Sequence, residues 1–152
     1  MTITAPTPVV GIRRTAVADA IGTDAVPSLP ERTTATWTHW GPAIALALGI
    51  VVWPAALLVL VIPVAMLVTA GRQSAIVREH ASAAADFILT TLVGLGVMLA
   101  AVSMLGISIH PLITLSVVIA VLGYLGFFLV RAGRAAAGGM PPAFPVSLPI
   151  LR

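Results

Sequence analysis

Three long apolar stretches, separated by short polar segments, dominate the pattern of this chain. They run from Gly41 to Ala70, from Phe87 to Leu105 and from Pro111 to Val130, and none of them contains a charged residue. As helices, the second and third would each be about 28–30 Å long, which matches the hydrocarbon thickness of a bilayer. The pattern predicts an all-α, polytopic helical membrane protein.

The first stretch allows two interpretations, because as one helix it would be about 45 Å long. That is too long for one upright span and too short for two full spans with a turn. One interpretation is a single tilted helix kinked at Pro54 and Pro63. The other is a short helical hairpin that turns near Trp53, with Pro54 opening its second arm. The absence of a polar turn favours the kinked helix, which we prefer slightly, whereas the hairpin would place all eight arginines on one side.

A polar segment leads into the second stretch. Ser74 can cap a helix that begins at Ala75. Because side chains four positions apart share a helix face, this helix would carry one polar stripe. The stripe consists of Arg78, Ser82, Asp86 and Thr90. We expect an amphipathic lead-in helix at the membrane interface, with Asp86 at the boundary, because an Asp at the membrane centre costs about 2.5–3.5 kcal/mol.

The same segment supplies the candidate site, a polar cluster at the membrane interface. Its members are Arg78, Glu79, His80 and Asp86. All four can mark the water-facing start of a helix, or Arg78, Glu79 and Asp86 can form a buried cluster that holds helices together or lines a path. A catalytic or metal-binding role for Glu79 and His80 is disfavoured, because neighbours on a helix point apart and no second histidine or carboxylate lies at ligand spacing. We therefore predict no catalytic residue, no metal and no cofactor.

Small residues recur four positions apart in two of the apolar stretches. Ala45 precedes Gly49 at this spacing, and Gly96 precedes Ala100. Small residues on one face let helices approach closely in a membrane. We expect both pairs to be helix-packing positions, within the chain or against a partner.

Composition narrows the class of protein further. The chain is 59% hydrophobic and 9% charged, so it has too few charges to cover a water-facing surface. It has no cysteine, which excludes disulfides and thiolate metal sites. The net charge of +3 suits an anionic leaflet and is too small to indicate nucleic-acid binding.

The polar regions set the expected domains and topology. Residues 1–36, rich in Pro, Thr and Ala, predict a disordered tail. Residues 37–134 form the predicted membrane domain, and residues 135–152 a Gly/Pro-rich tail that cannot be one helix. Because arginines concentrate in cytoplasmic loops, the 71–86 segment and the C-terminus should face the cytoplasm of the inner (plasma) membrane. The arginine-free turn at 106–110 should face outward, and the side of the N-terminus depends on the first stretch.

The order of these features resembles a family of small bacterial membrane proteins related to the twenty-kilodalton subunit of the chloroplast inner-envelope protein translocon. The matching residues are His39, then Val77, Glu79, His80, Ala84 and Phe87, then Phe144–Pro145. The chain departs from the pattern at Asp86, where the family usually has Asn, and in "PPAF", which lacks the usual Tyr. The resemblance implies a helical membrane domain and a role in a translocon-like assembly, and it implies no reaction.

From these observations we expect a non-enzymatic integral membrane protein. It would be an accessory or structural subunit that packs against other membrane proteins, in a translocon-like or respiratory assembly. The alternative is a small homo-oligomeric channel or transporter, with Arg78 and Asp86 lining its path. The expected partners are the lipid bilayer and other integral membrane proteins, including further copies of the chain, and no nucleic acid.

Overall fold

The computed structural model describes residues 26–106, 110–145 and 147–151 and is helical, with no strand among them. Three helical segments are long and apolar enough to cross a membrane, namely Pro54–Arg72, Ala75–Met104 and Pro111–Ala137. These findings confirm the predicted fold class. The elements are α1 (Leu29–Gly49), a 3₁₀ helix (Trp53–Leu57), α2 (Leu58–Val68), a 3₁₀ turn (Ala70–Arg72), α3 (Ala75–Met104) and α4 (Pro111–Ala137).

The first apolar stretch is a helical hairpin, so the single kinked helix that we preferred is wrong. α1 ends at Gly49, where an added Cβ would come within 3.0–3.2 Å of Ala56 on the returning arm. The turn needs no polar side chain, because its amides bond within the backbone: the N–H groups of Val51 and Val52 both donate to the carbonyl of Leu48. Only a small residue at position 49 permits so close a return.

α1 begins inside the predicted disordered tail. Ser28 caps the helix, and its hydroxyl accepts from the Glu31 N–H while the Glu31 carboxylate accepts from the Ser28 N–H. This reciprocal capping box satisfies amide groups that a helix start leaves unbonded. Residues 29–36 are therefore helical, in contrast to the prediction, and residues 1–25 of the predicted tail lie outside the described part of the chain.

The starts of α1 and α3 and the end of α4 lie at the same end of the bundle. The Ser74 hydroxyl donates to Glu31 across 2.8 Å, which joins the first two. A Cβ at Gly139, just beyond α4, would lie 3.3 Å from Nε of Arg32. We call this end the arginine end, since the segments that meet there carry the arginines of the described residues. They are Arg32, Arg72, Arg78, Arg131 and Arg134.

α4 continues past the predicted domain boundary to Ala137. The N–H groups of Gly138, Gly139 and Met140, just beyond the helix, donate to carbonyls of its final turn, and Gly139 adopts φ +72°, a conformation that glycine tolerates best. Residues 140–145 and 147–151 follow without regular secondary structure, and we call the range 140–151 the C-terminal segment. This segment folds back onto the bundle.

Burial divides α3 into two halves. Every residue from 80 to 88 is buried, because α1, α2, α4 and the C-terminal segment surround this part, which we call the packed half. Most residues of 92–104 in α3 and 111–124 in α4 are exposed, and we call these ranges the far half. A groove of about 540 Å³ separates the two helices there. The buried core around the packed half consists of Ala45, Val59, Phe87, Ile88, Leu125 and Leu129.

Candidate functional site

The four residues of the predicted polar cluster lie in different environments. Arg78 and Glu79 are exposed near the arginine end. His80 and Asp86 are buried, with exposed fractions of 3% and 0%. Asp86 therefore lies inside the bundle, and its neighbours explain how a carboxyl group is accommodated there.

Asp86 and Thr90 hold the C-terminal segment. One carboxylate oxygen of Asp86, Oδ1, accepts from the backbone N–H groups of Ile150 and Leu151, at 3.1 and 2.8 Å. The Thr90 hydroxyl accepts from the N–H of Leu148 at 3.0 Å and donates to the Asp86 carbonyl at 2.7 Å. The two residues are one helical turn apart, so they present their acceptors on one side of α3.

The composition of the segment fits this role. Proline has no backbone N–H and cannot continue a helix. Four of the residues in the segment are proline: Pro141, Pro142, Pro145 and Pro149. Irregular backbone at membrane depth is tolerated only where its polar groups are satisfied by protein or water. The prolines remove donors from the segment, and Asp86 and Thr90 supply acceptors for three of the donors that remain.

Phe144 packs the middle of the segment against the bundle. Its ring stacks on that of Phe87, with centroids 4.4 Å apart and planes 15° apart. It also contacts the ring of His39 at 5.8 Å. Phe144 therefore links the buried aromatic core to the histidine pair described next.

His39 of α1 and His80 of α3 form a buried pair. Nε2 of His39 lies 2.9 Å from Nδ1 of His80. Nδ1 of His39 has no hydrogen-bond partner among the described residues. Because a buried N–H without an acceptor is rarer in proteins than a buried lone pair without a donor, we assign the proton of His39 to Nε2. His39 then donates to His80, and the neutral pair ties α1 to α3.

This pair lacks the further ligands that a metal centre needs. Across the described ranges, no group of three or more His, Cys, Asp or Glu side chains lies close enough to hold a metal ion. Structural and catalytic zinc sites use at least three protein ligands. What the arrangement can do is join helices and seat the C-terminal segment.

Glu31 provides the electrostatic contact at the arginine end. Its pKa lies below the ordinary value because the Ser28 hydroxyl, the Ser28 N–H and the Ser74 hydroxyl all donate to the carboxylate. Each of these hydrogen bonds favours the charged form. An ionised Glu31 therefore caps α1 and contacts the start of α3 at once.

The two pairs of small residues have different surroundings. Ala45 is buried in the core, and Gly49 closes the hairpin turn. Gly96 and Ala100 are exposed, and a Cβ at Gly96 would meet nothing within 4 Å. The first pair thus packs within the chain, whereas the second pair faces whatever surrounds the far half.

Several residues that build this site were missing from the predicted cluster. His39, Thr90 and Phe144 became important only through contacts with residues distant in sequence. The available signal was the four-residue spacing from Asp86 to Thr90, together with a proline-rich C-terminal segment whose few amides require acceptors. The spacing was recognised, but nothing in the sequence indicated which backbone would lie against it.

Comparison with known families identifies one match. Residues 30–151 match the model of the magnetosome magnetite crystal formation protein family, MamF/MmsF. No curated protein and no solved structure matches the chain.

The expected relation to the chloroplast translocon subunit is therefore wrong, because the matching family is a different one. The expectation rested on a few residues, including Glu79, His80 and Phe87, and on the order of the apolar stretches. His80 and Phe87 are buried packing residues in this fold. A short helical packing pattern of this kind is too small to separate one family of membrane proteins from another.

Proposed function

The chain belongs to the magnetosome magnetite crystal formation protein family, MamF/MmsF, and on that premise we propose that it supports magnetite crystal formation as a non-enzymatic integral membrane protein. Its role would be structural, through packing against other membrane proteins. The observation that carries this proposal is the exposure of Gly96 and Ala100 in the far half, where a Cβ at Gly96 would meet nothing within 4 Å.

Packing in the rest of the molecule supports this interpretation of the far half. In the packed half, Ala81, Ala83 and Ala84 are fully buried because their small side chains let other elements approach α3 closely. Gly96 and Ala100 offer the same chemistry about three to five turns further along the helix. In a membrane, small residues at this spacing support close helix contacts through van der Waals packing. A transmembrane helix of another protein would fit against this face.

The distribution of arginines supports one orientation of the chain in the membrane. The arginines of the described residues gather at one end of the bundle, and such residues concentrate on the cytoplasmic side of bacterial membranes. We infer that the arginine end faces the cytoplasm. On this inference the start of α1 would also face the cytoplasm, because a hydrogen bond joins Ser74 to Glu31, and the connection between α3 and α4 would face the opposite side.

The buried polar residues support a non-enzymatic role. Asp86 and Thr90 accept hydrogen bonds from the C-terminal segment, and the two buried histidines contact each other. These groups are therefore engaged in holding the fold together. The alternative of a homo-oligomeric channel stays a prediction that no contact favours, because the segment covers Asp86 and does not leave it lining an open path.

A deletion experiment in a magnetite-forming bacterium that carries this gene tests the proposed role. We expect the deletion to change the number or size of magnetite crystals, and the wild-type gene to restore them. Glu79→Gln, at an exposed carboxyl group, should restore them equally well. Normal crystals in the deletion strain would refute the magnetite role, and failure of Glu79→Gln despite normal protein levels would refute the non-enzymatic one.

A second experiment tests packing through the far half. Membranes solubilised in mild detergent are separated by native electrophoresis, and Gly96→Leu is expected to weaken a complex that the wild-type chain forms. Val97→Leu is the matched control, because Val97 is 63% exposed and already carries a branched side chain. Gly96→Leu should not impair folding, since leucine favours helix more than glycine does. Migration of the wild-type chain only as a monomer would contradict the packing role.

A further inference from the structure

The C-terminal segment is attached to one helix but docks on others. It leaves α4 through Gly138 and Gly139. Its hydrogen bonds to Asp86 and Thr90 go to α3, and Phe144 stacks on Phe87, also in α3. The residues that recognise the segment are therefore separate from the point at which the chain supplies it.

The docking site needs an occupant. Asp86 is fully buried, and a buried carboxyl group without hydrogen-bond donors is costly. The segment in turn donates three backbone N–H groups, those of Leu148, Ile150 and Leu151, to the acceptors on α3. Withdrawal of the segment would break the three hydrogen bonds that join it to Asp86 and Thr90, whereas exchange for an equivalent segment would keep them.

The equivalent occupant is the same segment from a second copy of the chain. It carries the same prolines, the same Phe144 and the same three donors, so it reproduces every contact of the site. The glycine pair at the end of α4 provides a connection at which the path of the chain can change. The docked segment also keeps apolar side chains on its outer surface, with Leu148, Ile150 and Leu151 exposed by 61%, 52% and 41%, and these would lie against a neighbouring copy.

We propose that the surface formed by Asp86, Thr90, Phe87 and His39 is a docking site for an extended, proline-rich peptide, which a second copy of this chain can supply through its own C-terminal segment. Such exchange of an identical element joins copies without requiring a new type of contact. Exchange between copies competes with docking within one chain, because the covalent connection keeps a high effective concentration of the segment near its own docking site. Exchange therefore requires copies that are crowded in one membrane. The proposal does not depend on the role in magnetite formation.

Cysteine cross-linking of full-length chains in lipid vesicles tests the exchange. The chain has no native cysteine, so Thr90→Cys can be placed in one tagged copy and Leu148→Cys in a second copy with a different tag. Position 90 lies beside the backbone N–H of Leu148, with 3.0 Å between Oγ1 and N. At high protein density, a short thiol cross-linker should join the two tagged copies into one covalent dimer.

Three comparisons decide the result. A mixture of Val97→Cys and Leu148→Cys copies should give severalfold less dimer, because Val97 is exposed outside the docking site. A single chain with both Thr90→Cys and Leu148→Cys measures docking within one copy. An added Asp86→Leu substitution should reduce both products severalfold, and circular dichroism checks that the helices of this variant remain.

The proposal is overturned if only the intrachain product forms, since the segment would then dock exclusively on its own copy. It is also overturned if the Val97→Cys mixture gives as much dimer, which would indicate random collision. Equal cross-linking in folded Asp86→Leu chains would show that the carboxylate does not hold the segment, and that result would refute the docking site itself.

Discussion

The packed half and the far half of α3 use similar residues in opposite surroundings. Residues 81–85 are four alanines and one serine, all of them buried, and residues 94–101 contain two glycines and two alanines. In the packed half, small side chains allow α1, α2 and the C-terminal segment to surround the helix. In the far half, a Cβ at Gly94 or Gly96 would meet nothing within 4 Å, and Ala100 and Ala101 are exposed. Small residues therefore permit close packing, and the presence of other elements decides whether it occurs.

The largest expected difference in stability between the two halves concerns the aromatic residues at the centre of the packed half. Phe87→Ala would remove a fully buried ring that contacts Phe144, Phe128 and Tyr124. We expect it to lower the free energy of unfolding by about 3–5 kcal/mol, because the lost contacts leave a cavity. Unfolding in detergent micelles measures the change. Val97→Ala in the exposed far half is the control and should cost much less, and equal losses would contradict the division of α3.

Replacing an alanine by leucine in each half tests the same difference in packing by adding side-chain volume. Ala84→Leu would force a larger side chain into a position that is 0% exposed, and overpacking of this kind costs about 1–3 kcal/mol. Ala100→Leu makes the identical change where the helix is exposed. Thermal unfolding of the purified monomer should show destabilisation for the first variant only. A similar loss for Ala100→Leu would show that the far half is packed within the monomer.

A smaller effect is expected at the edge of the packed half. Thr90→Val keeps the side-chain shape but removes the acceptor for the Leu148 N–H, which should weaken docking of the segment by about 1 kcal/mol. Thr91→Val is matched, because the Thr91 hydroxyl donates to the Phe87 carbonyl of its own helix. Hydrogen exchange at residues 148–151 should accelerate in the first variant alone. If both variants behave alike, the hydroxyl of Thr90 does not seat the segment.

The smallest effect concerns the arginine end, where Glu31 connects the start of α1 to the start of α3. Hydrogen bonding lowers the pKa of Glu31 in the folded chain from an ordinary value of 4.5. The stabilisation is therefore complete above that value and is lost as the pH falls through the lowered pKa. We expect exchange at the first turn of α1 to accelerate on acidification below about pH 4.5, and Glu31→Gln to remove that dependence. Acid-sensitive exchange that persists in Glu31→Gln would assign the effect to another group.

Local patterns were sufficient for much of the fold. Uncharged stretches of the right length predicted the spans at 87–105 and 111–130, and Ser74 was recognised as a helix cap. The capping box formed by Ser28 and Glu31 was equally local but lay in a region whose composition indicated disorder. The hairpin turn at Gly49 was harder to identify, because its amides bond to the backbone and leave no polar signal in the sequence.

The candidate site was less predictable. Arg78, Glu79, His80 and Asp86 form one run in the sequence, and the expected interface cluster follows from that proximity. In the fold, His80 contacts His39, and Asp86 contacts amides at the end of the chain. These pairings arise because α1 and the C-terminal segment both pack against α3. Neither contact leaves a periodic pattern in the sequence.

The sequence by itself determined that this chain is a helical membrane protein, because long uncharged stretches are stable as helices in lipid and too apolar to face water. It also determined the spacing that places Asp86 and Thr90 on one side of α3. Only the tertiary structure decided which partners those residues have and which end of each helix is surrounded. Side-chain periodicity encodes the faces of a single helix, whereas burial depends on distant parts of the chain that fold back against it.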